Sequence, residues 1–162
     1  MASGTAKFAI SPVRSPADLA AVVSLFHDYA ASLPIDLSYQ NFDAELATLP
    51  GKYAPPDGAL LVARGDGASV RGCVGLRAMS AAGCCEMKRL FIVPNARGLG
   101  LGRALAEAII ETARRARYAD LRLDTLPTMK SAIRLYGHMG FKPTGPYYAP
   151  TPPGTVFMTL KL

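Results

Sequence analysis

The spacing of apolar residues changes several times along the 162-residue chain, and each change marks an element. Residues 7–13 (KFAISPV) read as a first strand. From Leu19 onward the spacing becomes helical, with Leu19, Val22, Val23, Phe26, Tyr29 and Ala30 on one face. Ser15 can cap the free amides, Pro16 suits the first turn, Asp18 favours the positive end of the dipole, and Pro34 breaks the pattern. A shorter helix carries Phe42, Leu46 and Leu49 and stops at Pro50-Gly51, before a loop over 51–58. Strands are expected at Ala59–Arg64 and Ser69–Ser80, joined as a hairpin through Gly65-Asp66-Gly67, and at Cys84–Val93, which Pro94 ends.

The strongest helical pattern spans Gly100–Arg117, with Leu101, Ala104, Leu105, Ala108, Ile109, Thr112 and Ala116 as its apolar stripe. A strand at Asp120–Thr125, a helix at Met129–Met139, and strands at Phe141–Thr144 and Thr155–Leu162 complete the chain. No internal repeat, low-complexity tract or linker interrupts it. The order predicts one domain over residues 1–162, of mixed α/β class, with helices covering a largely antiparallel sheet.

Composition narrows the class. Half of the residues are apolar, 19% are charged and the mean hydropathy is +0.18, which argues against intrinsic disorder. No apolar run approaches the ~20 residues of a membrane span, and the N-terminal MASG is too short and polar for a signal peptide. A soluble cytoplasmic protein without a membrane partner is the expectation. Cys73, Cys84 and Cys85 have no companions at zinc-ligand spacing and read as small buried hydrophobes, so no metal is expected. His27 and His138 sit far apart on separate helical stretches.

Charge is unevenly placed: residues 1–80 hold 6 basic and 7 acidic side chains (−1), residues 81–162 hold 12 and 5 (+7), giving the net +6. The C-terminal half therefore calls for an anionic partner, either nucleic acid or a phosphorylated small molecule. Nucleic acid is disfavoured, because no aromatic platform interleaves the basic residues and no helix-turn-helix or RNA-recognition signature appears.

The stretch from Leu90 to Arg103 (LFIVPNARGLGLGR) runs from a buried strand into a glycine-rich turn that opens the strongest helix. Alternating glycines leave backbone amides uncovered, and a helix N-terminus adds unpaired N–H groups and about half a positive charge, a combination suited to a phosphate. The turn is neither GxxxxGK[ST] nor GxGxxG, but it fits R-x-x-G-x-G over Arg97–Gly102.

In this the chain resembles the GNAT superfamily of N-acetyltransferases, whose coenzyme-A pyrophosphate turn is Q/R-x-x-G-x-G/A. Residues 132–141 (AIRLYGHMGF) are similar to the family's A-x-x-L-Y-x-x-x-G-F motif, about 35 residues downstream. The likeness is sharp over 84–145 and loose elsewhere. Met129 stands where many members carry Asn.

The resemblance implies a GNAT fold with about four helices on a mostly antiparallel sheet, and acetyl-CoA as cosubstrate. It implies that Arg97, Gly98, Leu99, Gly100, Leu101, Gly102 and Arg103 form the pyrophosphate cradle. Phe91, Ile92 and Val93 would lie along the pantetheine arm. Tyr136 corresponds to the tyrosine that protonates the leaving thiolate, a task within reach of a phenol of pKa about 10.

Glu86 corresponds to a catalytic base in some relatives. Strand alternation puts it on the face of Leu90 and Ile92, and its alternative role is an edge-strand pair with Lys88 or Arg89. Asp124 is a second candidate base. Segments 33–41 and 145–155 are expected to build the acceptor pocket, contributing Asp36, Tyr39, Tyr147 and Tyr148. A small amine is the expected acceptor. A protein N-terminus or lysine is the alternative, as is a non-catalytic acyl-CoA sensor. Homodimers are common among such relatives, and the sequence fixes no interface.

Overall fold

A computed structural model describes residues 8–65, 67 and 69–162. Seven strands form one sheet in the order β1-β2-β3-β4-β5-β7-β6. They are β1 (Ala9–Pro12), β2 (Ala59–Arg64), β3 (Val70–Ala78), β4 (Cys84–Ile92), β5 (Asp120–Thr125), β6 (Lys142–Thr144) and β7 (Val156–Lys161). Every pairing is antiparallel except β4 with β5. The expected elements are present within a few residues; Lys7 of the first strand and Asp66 of the hairpin turn lie outside the described residues.

Four α-helices cover the sheet: α1 (Pro16–Ser32), α2 (Phe42–Ala47), α3 (Leu101–Arg115) and α4 (Lys130–His138), with a 3-10 turn at Leu37–Gln40 ahead of α2. Ser15 caps α1 as its sequence implies, accepting from the Asp18 amide at 3.1 Å. Asp18 is then ion-paired with Arg64, tying the start of α1 to β2.

Two apolar cores result. Val22, Phe26, Phe42, Leu60, Val62 and Phe91 form one between the sheet and α1 and α2. Leu105, Ile109, Leu76, Met87, Leu121 and Tyr136 belong to the other, on the α3 and α4 side. The buried face of α3 is rotated from the expected stripe. Ala106, Ile110 and Ala113 are buried with Leu101, Leu105 and Ile109, whereas Ala116 is exposed. Helix α3 packs on β2, β3 and β4 together, so a wider face is covered, and small alanines permit the close approach.

Two irregularities in β4 position everything that follows. Its pairing with β5 covers Cys84↔Asp120 to Glu86↔Arg122 and then stops, so the two strands diverge. Against β3, Gly75 faces Lys88 and Cys73 faces Phe91, which leaves one extra residue on β4. Arg89 supplies that bulge, with φ +62°. The bulge corrects the alternation expected for Glu86. Leu90 and Ile92 pack on the α3 side, while Glu86, Lys88 and Phe91 face the α1 and α2 side. Nor is β4 an edge strand: it lies fourth of seven.

Candidate active site

The glycine-rich turn folds as a cradle of amides. Gly98 and Gly100 have φ of +81° and +80°, the left-handed region glycine tolerates, and Gly100 is the N-cap of α3 without a side-chain cap. From Gly98 to Arg103, none of the six amides has an acceptor among the described residues. A Cβ at Gly98 or Gly100 would meet nothing within 4 Å, so the cradle opens to space on its outer side. Arg97 donates its Nε–H to the Ile92 carbonyl at 3.1 Å and stacks over Phe91, bracing the turn against β4. Arg103 is exposed and near Glu107, at 3.5 Å. Leu99, 53% exposed, is the one large apolar side chain on the surface among the described residues.

Where β4 and β5 diverge, a narrow cavity of about 40 Å³ opens between them, room for a few waters. Tyr136 of α4, Asp124 of β5, Lys88, Leu90 and Tyr29 line it. Tyr136 is buried against Phe141 (ring centroids 5.7 Å), and burial raises its phenol above the usual tyrosine range. A second cavity of about 580 Å³ adjoins it, sharing Tyr39, Gln40 and Lys88 as common wall. Glu86, Glu45, Arg77, Tyr147 and Tyr148 line this larger space.

A network of buried charges separates the two. Alternation puts Arg122 and Asp124 of β5 on the polar face, with Glu86 and Lys88 of β4 across the gap. The Lys88 Nζ donates to Asp124 Oδ1 (3.0 Å) and Gln40 Oε1 (3.3 Å) and lies 3.9 Å from Glu86. Side chains thus bridge the strands two residues beyond the last backbone pair. Burial would raise the Asp124 pKa, but Lys88, the Tyr148 hydroxyl (2.7 Å) and Arg89 outweigh it and hold the carboxyl below its usual range.

Glu86 accepts from Arg77 Nε (2.9 Å) and from the Tyr147 hydroxyl (2.6 Å). Arg89 does not pair with Glu86. It grips Glu45 of α2 (2.9 and 3.3 Å) and donates to Gln40 (2.7 Å), which fixes the bulge. Adjacent tyrosines of the 145–155 loop therefore each hold one carboxylate, Glu86 on β4 and Asp124 on β5, with both rings edge-on to Phe157.

A sequence model of the acetyltransferase (GNAT) family matches residues 22–141. The chain belongs to that family. An uncharacterized N-acetyltransferase of Schizosaccharomyces pombe is 43% identical over 153 residues, covering 94% of each chain. Among solved structures, an acetyltransferase of the GNAT family from Staphylococcus aureus superposes with TM-score 0.77 at 17% identity, over 96% of this chain and 99% of its own. A Salmonella typhimurium protein solved with its cofactor acetyl-CoA gives 0.74 at 20%, over 96% and 94%. This GNAT protein is thus an acetyl-CoA-dependent N-acetyltransferase.

Of the residues singled out in the sequence, Tyr39, Tyr147, Tyr148 and Glu86 meet at the larger cavity, and Tyr136 and Asp124 at the narrow one. Asp36 is a correction: it caps the 3-10 turn, accepting from the Ser38 amide at 2.7 Å, and lines neither cavity. The sequence points to none of Gln40, Glu45 and Arg77, and to Lys88 and Arg89 only as possible partners of Glu86, of which Lys88 lies 3.9 Å from it. Charged residues within strands carry the one available signal, because Glu86, Lys88 and Arg89 interrupt an otherwise apolar β4.

The three cysteines are buried free thiols, as expected, and burial pushes Cys73 and Cys85 up to about 12. Among the described residues no cluster of His, Cys, Asp or Glu could hold a metal ion, and no helix is long and apolar enough to cross a membrane.

Proposed function

We propose that this enzyme acetylates the primary amine of a small molecule bound in the 580 Å³ cavity, by direct transfer within a ternary complex. The observation carrying this reading is the junction of two cavities at Tyr39, Gln40 and Lys88, with Glu86 in the larger and Tyr136 in the narrow one. The cradle fits a pyrophosphate: six amides without an acceptor among the described residues lie at a helix N-terminus, with open space beside Gly98 and Gly100. Gly98–Arg103 would hold that group, Arg97 would brace the turn, and Phe91–Val93 would flank the pantetheine arm in the gap left by β5.

When bound, acetyl-CoA supplies an acetyl thioester, an acyl electrophile with a thiolate leaving group. Glu86 Oε2 takes the proton of the acceptor ammonium, directly or through a water, while Arg77 orients the carboxylate. The Tyr136 hydroxyl keeps its proton at neutral pH because burial raises its pKa, and so has one to deliver to the sulfur. Asp124, its basicity lowered by Lys88 and Tyr148, serves as a counterion and not as the base. Tyr147 and Tyr148 exclude water from the junction. Direct transfer is favoured over a cysteinyl intermediate because no cysteine lines either cavity and burial pushes two of the thiols up to about 12.

Titration calorimetry with acetyl-CoA, wild type beside Gly100→Glu, tests the cofactor site. Micromolar binding to wild type, lost when a carboxylate fills the cradle, is expected. Release of the coenzyme thiol is then followed over a panel of small amines and of peptides. Turnover confined to peptides would overturn the small-molecule reading, and tight binding with no turnover would mark a sensor.

A further inference from the structure

We propose that the acceptor is a free α-amino acid with a bulky apolar side chain, its carboxylate taken by Arg77 and its amine by Glu86. This rests on the small-amine reading above and assigns the substrate class of the same cavity.

Charge balance carries the argument. Three carboxylates (Glu45, Glu86, Asp124) meet three cations (Arg77, Lys88, Arg89) across the two cavities and their shared wall. Two further cations, Lys52 on the rim and Arg122 beneath Tyr147, form no ion pair among the described residues, so the surroundings carry surplus positive charge. A polyamine would bring added cations against Arg77 and Lys88, and a dianion would face Glu45 and Glu86. A molecule with one charge of each sign meets a complement at both ends.

Arg77 is the group positioned to receive the carboxylate. Its side chain is 23% exposed, against 4–10% for its partners Glu86 and Glu45 and for Lys88. Its Nε and Nη2 both stand 2.9 Å from Glu86 Oε1, while Nη1 lies 3.6 Å from Glu45, beyond hydrogen-bond reach. The outer edge of the guanidinium, Nη1 and the second N–H of Nη2, therefore keeps donors for a carboxylate, the partner its planar geometry matches. On the amine side, Glu86 Oε2 accepts from Tyr147 and retains a lone pair.

A second, independent observation is Tyr53. It lines the same cavity, is 2% exposed, and its hydroxyl makes no hydrogen bond within 3.5 Å among the described residues. Gly75 makes room for it: a Cβ there would stand 2.6 Å from the Tyr53 ring. A buried orphan hydroxyl is costly unless a ligand or water completes it, and this one lies near Glu45 and Arg77. Ala44, Leu49, Pro50 and Met79 supply the apolar remainder of the cavity, which is larger than the amino and carboxyl groups alone require.

The test compares phenylalanine, leucine and methionine with their decarboxylated amines and with phenylalaninamide, in the presence of acetyl-CoA. The expected result is a kcat/KM at least about tenfold higher for the amino acids, since a charge-assisted carboxylate contact is lost in every analogue. In Arg77→Gln that preference falls to near unity, whatever the absolute rate. Tyr53→Phe guards against misfolding of the Arg77 variant: its thermal midpoint holds or rises, while its preference for amino acids over amines narrows severalfold. Equal turnover of amino acids and amines by wild type, or a preference for spermidine, overturns the amino-acid assignment alone. No turnover of any amine, with acetyl-CoA binding intact by calorimetry, overturns the small-amine reading and this one with it. An undiminished preference in both variants removes Arg77 and Tyr53 from the carboxylate site.

Discussion

Tyr136 and Asp124 face the same narrow cavity, and their environments push them in opposite directions. Burial makes the phenol a weaker acid, while Lys88 and Tyr148 make the carboxyl a stronger one. Tyr136→Phe keeps the ring against Phe141 and removes only the proton. Steady-state kinetics should show kcat lower by ~100-fold, with acetyl-CoA affinity by calorimetry within about twofold of wild type.

Asp124→Asn takes from buried Lys88 its nearer counterion and leaves only Glu86 at 3.9 Å, a change that costs about 3 kcal/mol and lowers the thermal midpoint by roughly 6–12 °C. The pH dependence has a defined sign. A carboxyl with a depressed folded-state pKa contributes fully above its unfolded value near 4, and the contribution is lost as pH falls through the lower folded value. Midpoints measured from pH 6 down to pH 2 should therefore converge for wild type and Asp124→Asn. A constant gap across that range would refute the assignment. At this scale the sequence was informative about Tyr136, which sits in a spaced motif. It was silent on Gln40, Glu45 and Arg77, whose partners lie as far as 108 positions away.

Among the elements, those governed by local chemistry were readable and those governed by tertiary contacts were not. Ser15, Pro16 and Asp18 define the start of α1 through short-range bonds, and the helix begins there. Ser15→Ala should cost about 1 kcal/mol, read as a fall of roughly 2–4 °C in thermal midpoint. The glycine turn was equally legible, because positive φ at Gly98 and Gly100 demands that residue type. The α3 face was misjudged by part of a turn, since its width depends on how many strands lie beneath it. The Arg89 bulge left no trace in sequence: an arginine replaces the glycine or asparagine that would have announced it, held there by Glu45 and Gln40 from another layer.

For the whole molecule, the sheet keeps reactive groups in separate environments. The thiols of Cys73, Cys84 and Cys85 are buried within it, away from both cavities. An aromatic disulfide reagent at pH 8 should therefore label no thiol in the folded protein and three after denaturation. Fast labelling of a single thiol in the native state would mean that part of the sheet opens locally.

The Arg89 bulge also sets the phase of its strand. Were Arg89 paired as an ordinary strand residue, β4 would alternate strictly from Cys84 to Ile92. Phe91 would then exchange sides with Leu90 and Ile92, carrying an aromatic ring toward α3 and two aliphatic side chains toward α1. Deleting the Arg89 codon would have the opposite outcome: Lys88 and Leu90 already face opposite sides, so regular pairing would return with every remaining side chain on the face it now holds.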